Sequence, residues 1–512
     1  MVANAKYDVI IIGAGMGGLS VGAFLAREGK KVLVLEKHDK PGGYLTSFTR
    51  ENYTFDCGIF HLNEMGENQT IPQFIRYWGS NISAKKIHYK LKYFIGNKEF
   101  SIDGRNAQDD LIGYFPAGKR TIEKFFSISA KTMDEMLSRG APKAPYEMSF
   151  SEKMCFGMRS FFKMPTFMKY ASKQSAKILK DLFKDKTLAN IILGYYPTYS
   201  LIFLAHVWGW EKMKRGENYY PEGGMQAIPN ASVKAIEKKG GEIMLKTEVE
   251  KIIVKNKIAV GVKCSDGNEF YSDIVISNAP IHHTLYKLLD GVPDFDQLRA
   301  KIKKREVFPS VMLNFVGVDE KYDFKGVNHF IFLDENILGI EEGDLTPQNC
   351  PIFLIVPPKP EGQKDHSVLI PAFLPYECER FWLTDNGKIR GEKYYKLKEE
   401  VKDIIIERVC KKLGEDFRKA IKYSLASTPL TFERYTYNER GSIMGWKMDA
   451  KNYGKYVPQT TPVENLYLVG QWVFPGGGVP AVMASGYYLA KKILEKEKID
   501  LEGRMKSYLR NN

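Results

Sequence analysis

A chain of 512 residues is long enough for more than one hydrophobic core, so two domains, or one domain with a large insertion, are expected. Hydrophobic residues at 44% and charged residues at 27% exclude a disordered or fibrous chain, and a formal net charge of +14 points to an anionic partner or surface. The six cysteines (Cys57, Cys155, Cys264, Cys350, Cys378, Cys410) include no Cys-x-x-Cys pair, which argues against a disulfide framework or zinc site and fits a reducing compartment.

Residues 1–6 lead straight into the first apolar run with no signal peptide, so a cytoplasmic location is expected. Tyr7-Asp8-Val9-Ile10-Ile11-Ile12 has the length and composition of a buried strand and opens into Gly13-Ala14-Gly15-Met16-Gly17-Gly18. A helical pattern follows, ended by Gly29, and residues 31–35 form a second buried strand with Glu36 at its carboxyl end. This is the strand, glycine turn, helix, strand and acid of a dinucleotide-binding unit. Gly13 allows the tight turn, Gly15 lets backbone approach a pyrophosphate, and Gly18 lets the helix lie close to the strand. The first N–H groups of the helix face the phosphates, and a carboxylate at Glu36 suits ribose hydroxyls, which favours FAD or NAD over NADP.

Pro41-Gly42-Gly43-Tyr44 makes a second turn with backbone donors available to an anion. Phe55-Asp56-Cys57-Gly58-Ile59-Phe60-His61 reads as a strand and a bend, after which the nucleotide-fold pattern is lost near residue 68. Residues 69–217 read as mostly helical, with a strand-like patch over 93–102. The uncharged stretch 187–210 contains Pro197 and His206, which makes it a buried helix pair rather than a membrane span. Residues 151–186 interleave many lysines with Phe and Met, the composition of a segment lying on a membrane surface. No recognition motif supports nucleic acid as the partner for that charge.

Tyr220-Pro221-Glu222-Gly223-Gly224-Met225 ends the insertion, and a helix over 227–239 and short strands over 242–279 return the chain to the nucleotide fold. A second departure begins at 282. Its alternating segments, such as 311–318, suit an antiparallel sheet with one buried face, and a charged helix is expected over 394–413. Residues 465–470 form the last strand, followed by Gln471-Trp472-Val473-Phe474-Pro475-Gly476-Gly477-Gly478-Val479-Pro480 and a helix over 481–498. The expected fold is therefore α/β: a Rossmann-like FAD-binding domain in three segments, 1–68, 218–281 and 415–498, with an inserted α+β substrate domain from 69–217 and 282–414 and a tail over 499–512.

Taken together, these motifs resemble the FAD-dependent carotenoid desaturases, carotenoid isomerases and retinol saturases, within the amine-oxidase-like flavoproteins, from end to end of the chain. Two positions depart from the common pattern: Tyr44 stands where that family usually has Arg, and Gln471 where most desaturases have Asp. Both shift the expectation from desaturation towards saturation or isomerisation. The resemblance implies that Gly13, Ala14, Gly15, Met16, Gly17 and Gly18 hold the FAD pyrophosphate, with Glu36 and Lys37 at the adenosine ribose. Gly42, Gly43 and Tyr44 would follow the phosphates and ribityl chain, and Val249 would meet the adenine. Gly470 and Gln471 would reach the ribityl or pyrophosphate oxygens, and Gly478, Val479 and Ala481 would face the flavin pyrimidine.

The reaction so implied is hydride exchange at flavin N5 with a double bond of a long apolar polyene or isoprenoid. His61, Tyr220 and Glu222 are the candidates for proton transfer. A single Gly-x-Gly-x-x-Gly unit leaves no second domain for NADPH, so a quinone, oxygen or a protein is the expected electron partner, unless the reaction is redox-neutral. The expected place of work is the inner face of a membrane, bound peripherally. Two other readings use the same fold: a flavin-dependent amine or amino-acid oxidase, and a non-enzymatic prenyl-binding relative.

Overall fold

In a computed structural model, residues 7–138, 143–195, 201–340, 342–385 and 388–511 are described; Pro197 and the 1–6 leader lie outside them. Tyr7–Ile12 is the middle of a seven-stranded sheet, parallel to Val32–Leu35 on one side and Glu269–Ser277 on the other. Glu242–Met244 extends it beyond Val32–Leu35, and Leu466–Leu468 pairs in parallel with Glu269–Ser277. Val249–Lys255 and Ile258–Cys264 add antiparallel strands at the Glu269–Ser277 edge. Val32–Leu35 is buried at every residue, as a parallel strand covered on both faces must be.

The helices Met16–Arg27, Ala227–Glu237 and Val479–Glu495 contribute to the core on one face. Met16–Arg27 and Val479–Glu495 pack so closely that a Cβ added at Gly486 would stand 2.6 Å from Ser20 Cβ and from the backbone N of Val21. The buried Ser20 hydroxyl donates to the carbonyl of Met483 at 2.8 Å, so the crossing is held by backbone as well as by packing.

A second seven-stranded sheet runs in the order Ile421–Ser427, Met312–Val318, His366–Ala372, Ile352–Ile355, His329–Leu333, Lys90–Ile95, Lys98–Asp103. All of its pairings are antiparallel except that of His329–Leu333 with Lys90–Ile95. Buried Lys212 ties the inserted helices to the loop after the nucleotide segment, pairing with Glu64 at 2.8 Å and with Glu217.

Several expectations need correction. Met312–Val318 is buried throughout, not on alternate residues, because one face packs on the helical insertion and the other on the aromatic cluster around Phe55 and Phe315. Ile421–Ser427, placed by sequence in the nucleotide segment 415–498, is the edge strand of the second sheet. Thr70–Tyr77 and residues 282–302, placed in the substrate part, bury Ile71, Phe74, Leu285 and Phe295 against the first sheet. Within the expected tail, Leu501–Asn511 is a helix whose Arg504 pairs with Glu28 at 2.6 Å. Breaks in sequence pattern mark changes of strand and helix, whereas these boundaries depend on which core each apolar face joins.

Replacing Gly486 by Ala should overpack the helix crossing and cost about 1–3 kcal/mol. A lower thermal midpoint together with lower flavin content is the expected result, because the crossing fixes both helix N-termini.

Candidate cofactor and active site

The carboxyl ends of the parallel strands open into a cavity of about 800 Å³, the usual place for a ligand in an open α/β sheet. Gly13, with φ at 93°, bends the chain out of the first strand, and its N–H donates to the carbonyl of Leu35 at 2.7 Å. Gly42 closes the opposite rim, its N–H on the carbonyl of Ala14 at 2.8 Å. Within this cradle side chains are sterically excluded. A Cβ on Gly17 would stand 2.6 Å from Asn278 Oδ1 and 2.7 Å from Gly470 Cα, and one on Gly15 would stand 2.8 Å from Asn278 Nδ2.

Two helices begin at the cavity, Met16–Arg27 after Gly15 and Val479–Glu495 after Gly478. Neither has a side-chain N-cap or an acid in its first turn, so their free N–H groups and positive dipole ends are available to an anion. Glu36 accepts from the N–H of Ala14 at 2.7 Å through one oxygen and from the N–H of His38 at 2.8 Å through the other. Each oxygen keeps a lone pair for a hydroxyl. This donor and acceptor set fits a dinucleotide: backbone N–H for pyrophosphate, a fixed carboxylate for ribose.

Further along the cavity the lining is polar on one side. Lys37 lies over the ring of Tyr437 at 3.0 Å from its centroid, and burial lowers its ammonium to about 8. Tyr437 donates to Glu248 at 2.6 Å, and His283 stacks on its ring. Tyr44, where the resemblance led to an expectation of Arg, donates to the carbonyl of Ser442 at 2.9 Å, and burial pushes its phenol up to about 12. It is a neutral brace. On the other side the second sheet and its neighbours contribute Phe48, Phe315, Leu425, Phe432 and Ile443, an apolar wall.

Of the residues singled out by sequence, Gly13, Gly15, Met16, Gly17, Glu36, Lys37, Gly42, Gly43, Tyr44, Val249, Gly470, Gln471, Gly478 and Val479 all line this one cavity. Ala14, Gly18 and Ala481 do not. Ala14 acts through its N–H on Glu36, and a Cβ on Gly18 would meet the carbonyl of Gly13 at 2.3 Å, so its absence seats the helix.

None of the three proton-transfer candidates is among the residues that line this cavity. Glu222 is exposed and accepts from Ser83 at the edge of a short ladder. Tyr220 donates to buried Asp56 at 2.7 Å, with its phenol pushed far above the ordinary value by burial. Asp56 also accepts from Ser47 at 2.6 Å and from the N–H of Met225, so the Phe55-Asp56 and Tyr220–Met225 motifs form one structural knot. His61 follows Ile59, which does line the cavity, but its own ring lies among Phe60, Tyr89 and neighbouring aromatics, and burial lowers it to about 4. A histidine neutral at ordinary pH carries no imidazolium proton to give, although it can still accept one.

Sequence reading missed Asn278, which touches the glycines of both turns and donates to the carbonyl of Gly13 at 3.3 Å. Its signal was present: a polar residue directly after the apolar strand Glu269–Ser277, which the structure pairs with the first strand. Tyr437, Asn438 and Trp472 also line the cavity, and no local pattern announced Tyr437 or Asn438.

The geometry agrees with comparisons to known proteins. All-trans-retinol 13,14-reductase of Danio rerio is 25% identical over 556 residues, covering 98% of this chain and 88% of the relative. Prolycopene isomerase 1, chloroplastic, of an Oncidium hybrid cultivar is 29% identical over 521 residues, covering 95% of this chain and 84% of the relative. Among solved structures, a putrescine oxidase variant superposes with a TM-score of 0.64 at 14% identity, over 96% of this chain and 99% of that one. An oxidoreductase from Methanosarcina mazei gives a TM-score of 0.58 at 17% identity, over 95% and 99%. These two show the fold. The sequence model of the family described as flavin containing amine oxidoreductase matches residues 16–494, and on that match the chain belongs to this family, an enzyme with FAD as its cofactor.

Proposed function

We propose that this protein is an FAD-dependent saturase or isomerase acting on a double bond of a long apolar polyene or isoprenoid. The observation that carries the reading is the continuity of the glycine cradle with the apolar wall of Phe48, Phe315, Leu425, Phe432 and Ile443 in one cavity. Relatives that match nearly the whole chain are named for retinol reduction and prolycopene isomerisation, both reactions of conjugated chains. Bound FAD supplies the hydride chemistry. In this reading, residues 13–18 and Glu36 bind the adenine dinucleotide end, and Gly42, Gly43, Tyr44, Gly470 and Gln471 flank its middle. The uncapped N-terminus at Gly478 and Val479 favours negative charge near the flavin pyrimidine. The aromatic wall orients the polyene and excludes water. The electron partner, where one is needed, is a quinone, oxygen or a protein.

The reading also gives a purpose to the exposed face of Phe150–Lys163. Phe150 is 81% exposed, Phe161 68% and Phe162 79%, with Met154 and Met158 exposed at helical spacing between them. Lys153, Arg159, Lys163 and Lys169 surround this stripe, all exposed. Aromatic side chains ringed by cations suit an anionic bilayer surface, from which an apolar substrate would be drawn. Among the described residues no helix is long and apolar enough to cross a membrane. Phe167, assigned to the same stripe from sequence, is buried with Met164, Ala171, Ile202 and Leu204 and is not part of it.

Three measurements test these points. Replacing Glu36 with Ala removes a charged acceptor worth about 1.5–3 kcal/mol, so FAD affinity should fall roughly tenfold to a hundredfold. Flavin absorbance retained after gel filtration reads this out, and full retention would displace Glu36 from the site. Anaerobic addition of retinol, lycopene isomers and a simple amine should change polyene or flavin bands only with the polyenes; bleaching by the amine alone would make the protein an amine oxidase. A need for prior flavin reduction would separate saturation or isomerisation from desaturation. Finally, joint Ser replacement of Phe150, Phe161 and Phe162 should abolish binding to liposomes containing anionic lipid while leaving flavin content and thermal midpoint intact. Undiminished liposome binding would rule this helix out as the docking surface.

A further inference from the structure

Behind the cofactor cavity lies a second cavity, also about 800 Å³. The two are back to back. His283 lines the first and His282 the second, and Asn438 lines the first where Glu439 lines the second. The wall between them is built on Trp446 and Trp472, packed edge to face at 4.9 Å, with His282 against both rings. Trp472 faces the cofactor cavity, and Arg305 on the far side of Trp446 faces the second.

Arg305 is the anomaly. Its guanidinium carbon sits 4.2 Å from the centroid of Trp446, and its Nε is buried with no hydrogen-bond partner. Among the described residues no carboxylate lies within ion-pair distance of it, and Asp449 acts only from farther away. Burial lowers this group to about 10, so it remains a cation at ordinary pH. A half-buried charge with neither counter-ion nor acceptor is costly, and proteins rarely leave one without a purpose.

The surroundings point the same way. Ser310 is 3% exposed, and its hydroxyl is also without a partner, as is Nδ1 of His282. Three residues that each carry a buried polar atom with no partner among the described residues thus line one cavity. Of the carboxylates there, Glu306 pairs with Lys447 and Glu377 with Arg440, while burial raises Glu439 above the usual carboxylate range. Lys303 and Lys304 are exposed at its edge. The cavity is therefore cationic, with Phe308, Phe373 and Tyr376 in its lining and Trp446 behind Arg305.

We propose that this second cavity binds an organic anion, its carboxylate or phosphate head taken by Arg305 and Ser310 and its body lying towards the Trp446 wall. A guanidinium already held flat on an indole offers its outer edge for bidentate bonding, the geometry that carboxylate and phosphate heads share. Because Arg305 lies on Trp446 and Trp446 packs on Trp472, which lines the cofactor cavity, a ligand here is placed to influence the cofactor side without entering it.

Calorimetric titration of the FAD-loaded protein with benzoate and with phenyl phosphate tests this and distinguishes the two heads. Saturable binding of at least one probe, accompanied by a rise in thermal midpoint, is expected. Arg305→Met should weaken that binding at least tenfold, keep its flavin, and melt no lower than the parent in anion-free buffer, since it removes an unpaired charge. Ser310→Ala should weaken the same probe severalfold and gives an independent reading if the Met variant loses its flavin. Binding of neither probe, or undiminished binding in both variants, would overturn the assignment. So would a lower midpoint for Arg305→Met in anion-free buffer, which would make Arg305 a structural residue. None of these measurements involves a polyene, so their outcome is independent of the substrate reading.

Discussion

The cofactor end of the molecule depends on backbone approaching backbone where Gly15, Gly17 and Gly470 surround the amide of Asn278. No side chain fits among them: added Cβ atoms would lie within 2.8 Å of that amide. The close approach brings two chain segments from opposite ends of the sequence to one strand edge. It leaves N–H groups as the chemical lining, which is what an anionic dinucleotide requires. The helix crossing at Gly486 and Ser20 is the same constraint one layer out, since it sets where both helices begin.

The second sheet is fitted to that arrangement. Its central strands are buried on both faces, so one face supports the inserted helices while the other delivers Phe315 towards the cavity. Asp56, gathering Ser47, Tyr220 and Met225, anchors the hairpin that carries Phe48 to the same wall. Residues that looked chemical in sequence thus do structural work. In the proposed reading the bound flavin supplies the chemistry and the protein supplies position and dryness.

Charge is distributed with comparable economy. Near the cofactor, Lys37 and Glu248 are each engaged with Tyr437, and the phenols there are held neutral by burial. Among the described residues, cations without an ion-pair partner stand instead on the helix Phe150–Lys163 and at Arg305, two places where aromatic side chains accompany positive charge. Both are surfaces or cavities in want of an anion, and they lie outside the cofactor cradle.

The sequence alone determined the nucleotide unit, because its parts are local: two strands, one turn, one helix and one acid within thirty residues. It determined the glycine-rich second and last turns for the same reason, and all of them line the cavity or seat its helices. It also located the exposed basic and aromatic segment, since composition needs no partner to be read. Only the tertiary structure decided which of two cores residues 70–77, 282–302 and 421–427 join, because an apolar stripe does not name the face that will cover it. It likewise decided that Phe167 is core and Phe161 is surface, a distinction that helical spacing within one short segment cannot make. His61, Tyr220 and Glu222 looked alike as titratable groups near glycines, and separated only once their partners were known. Asn278, Tyr437 and Arg305 carried no motif. Their roles arise from what lies within a few ångströms in space and far away along the chain.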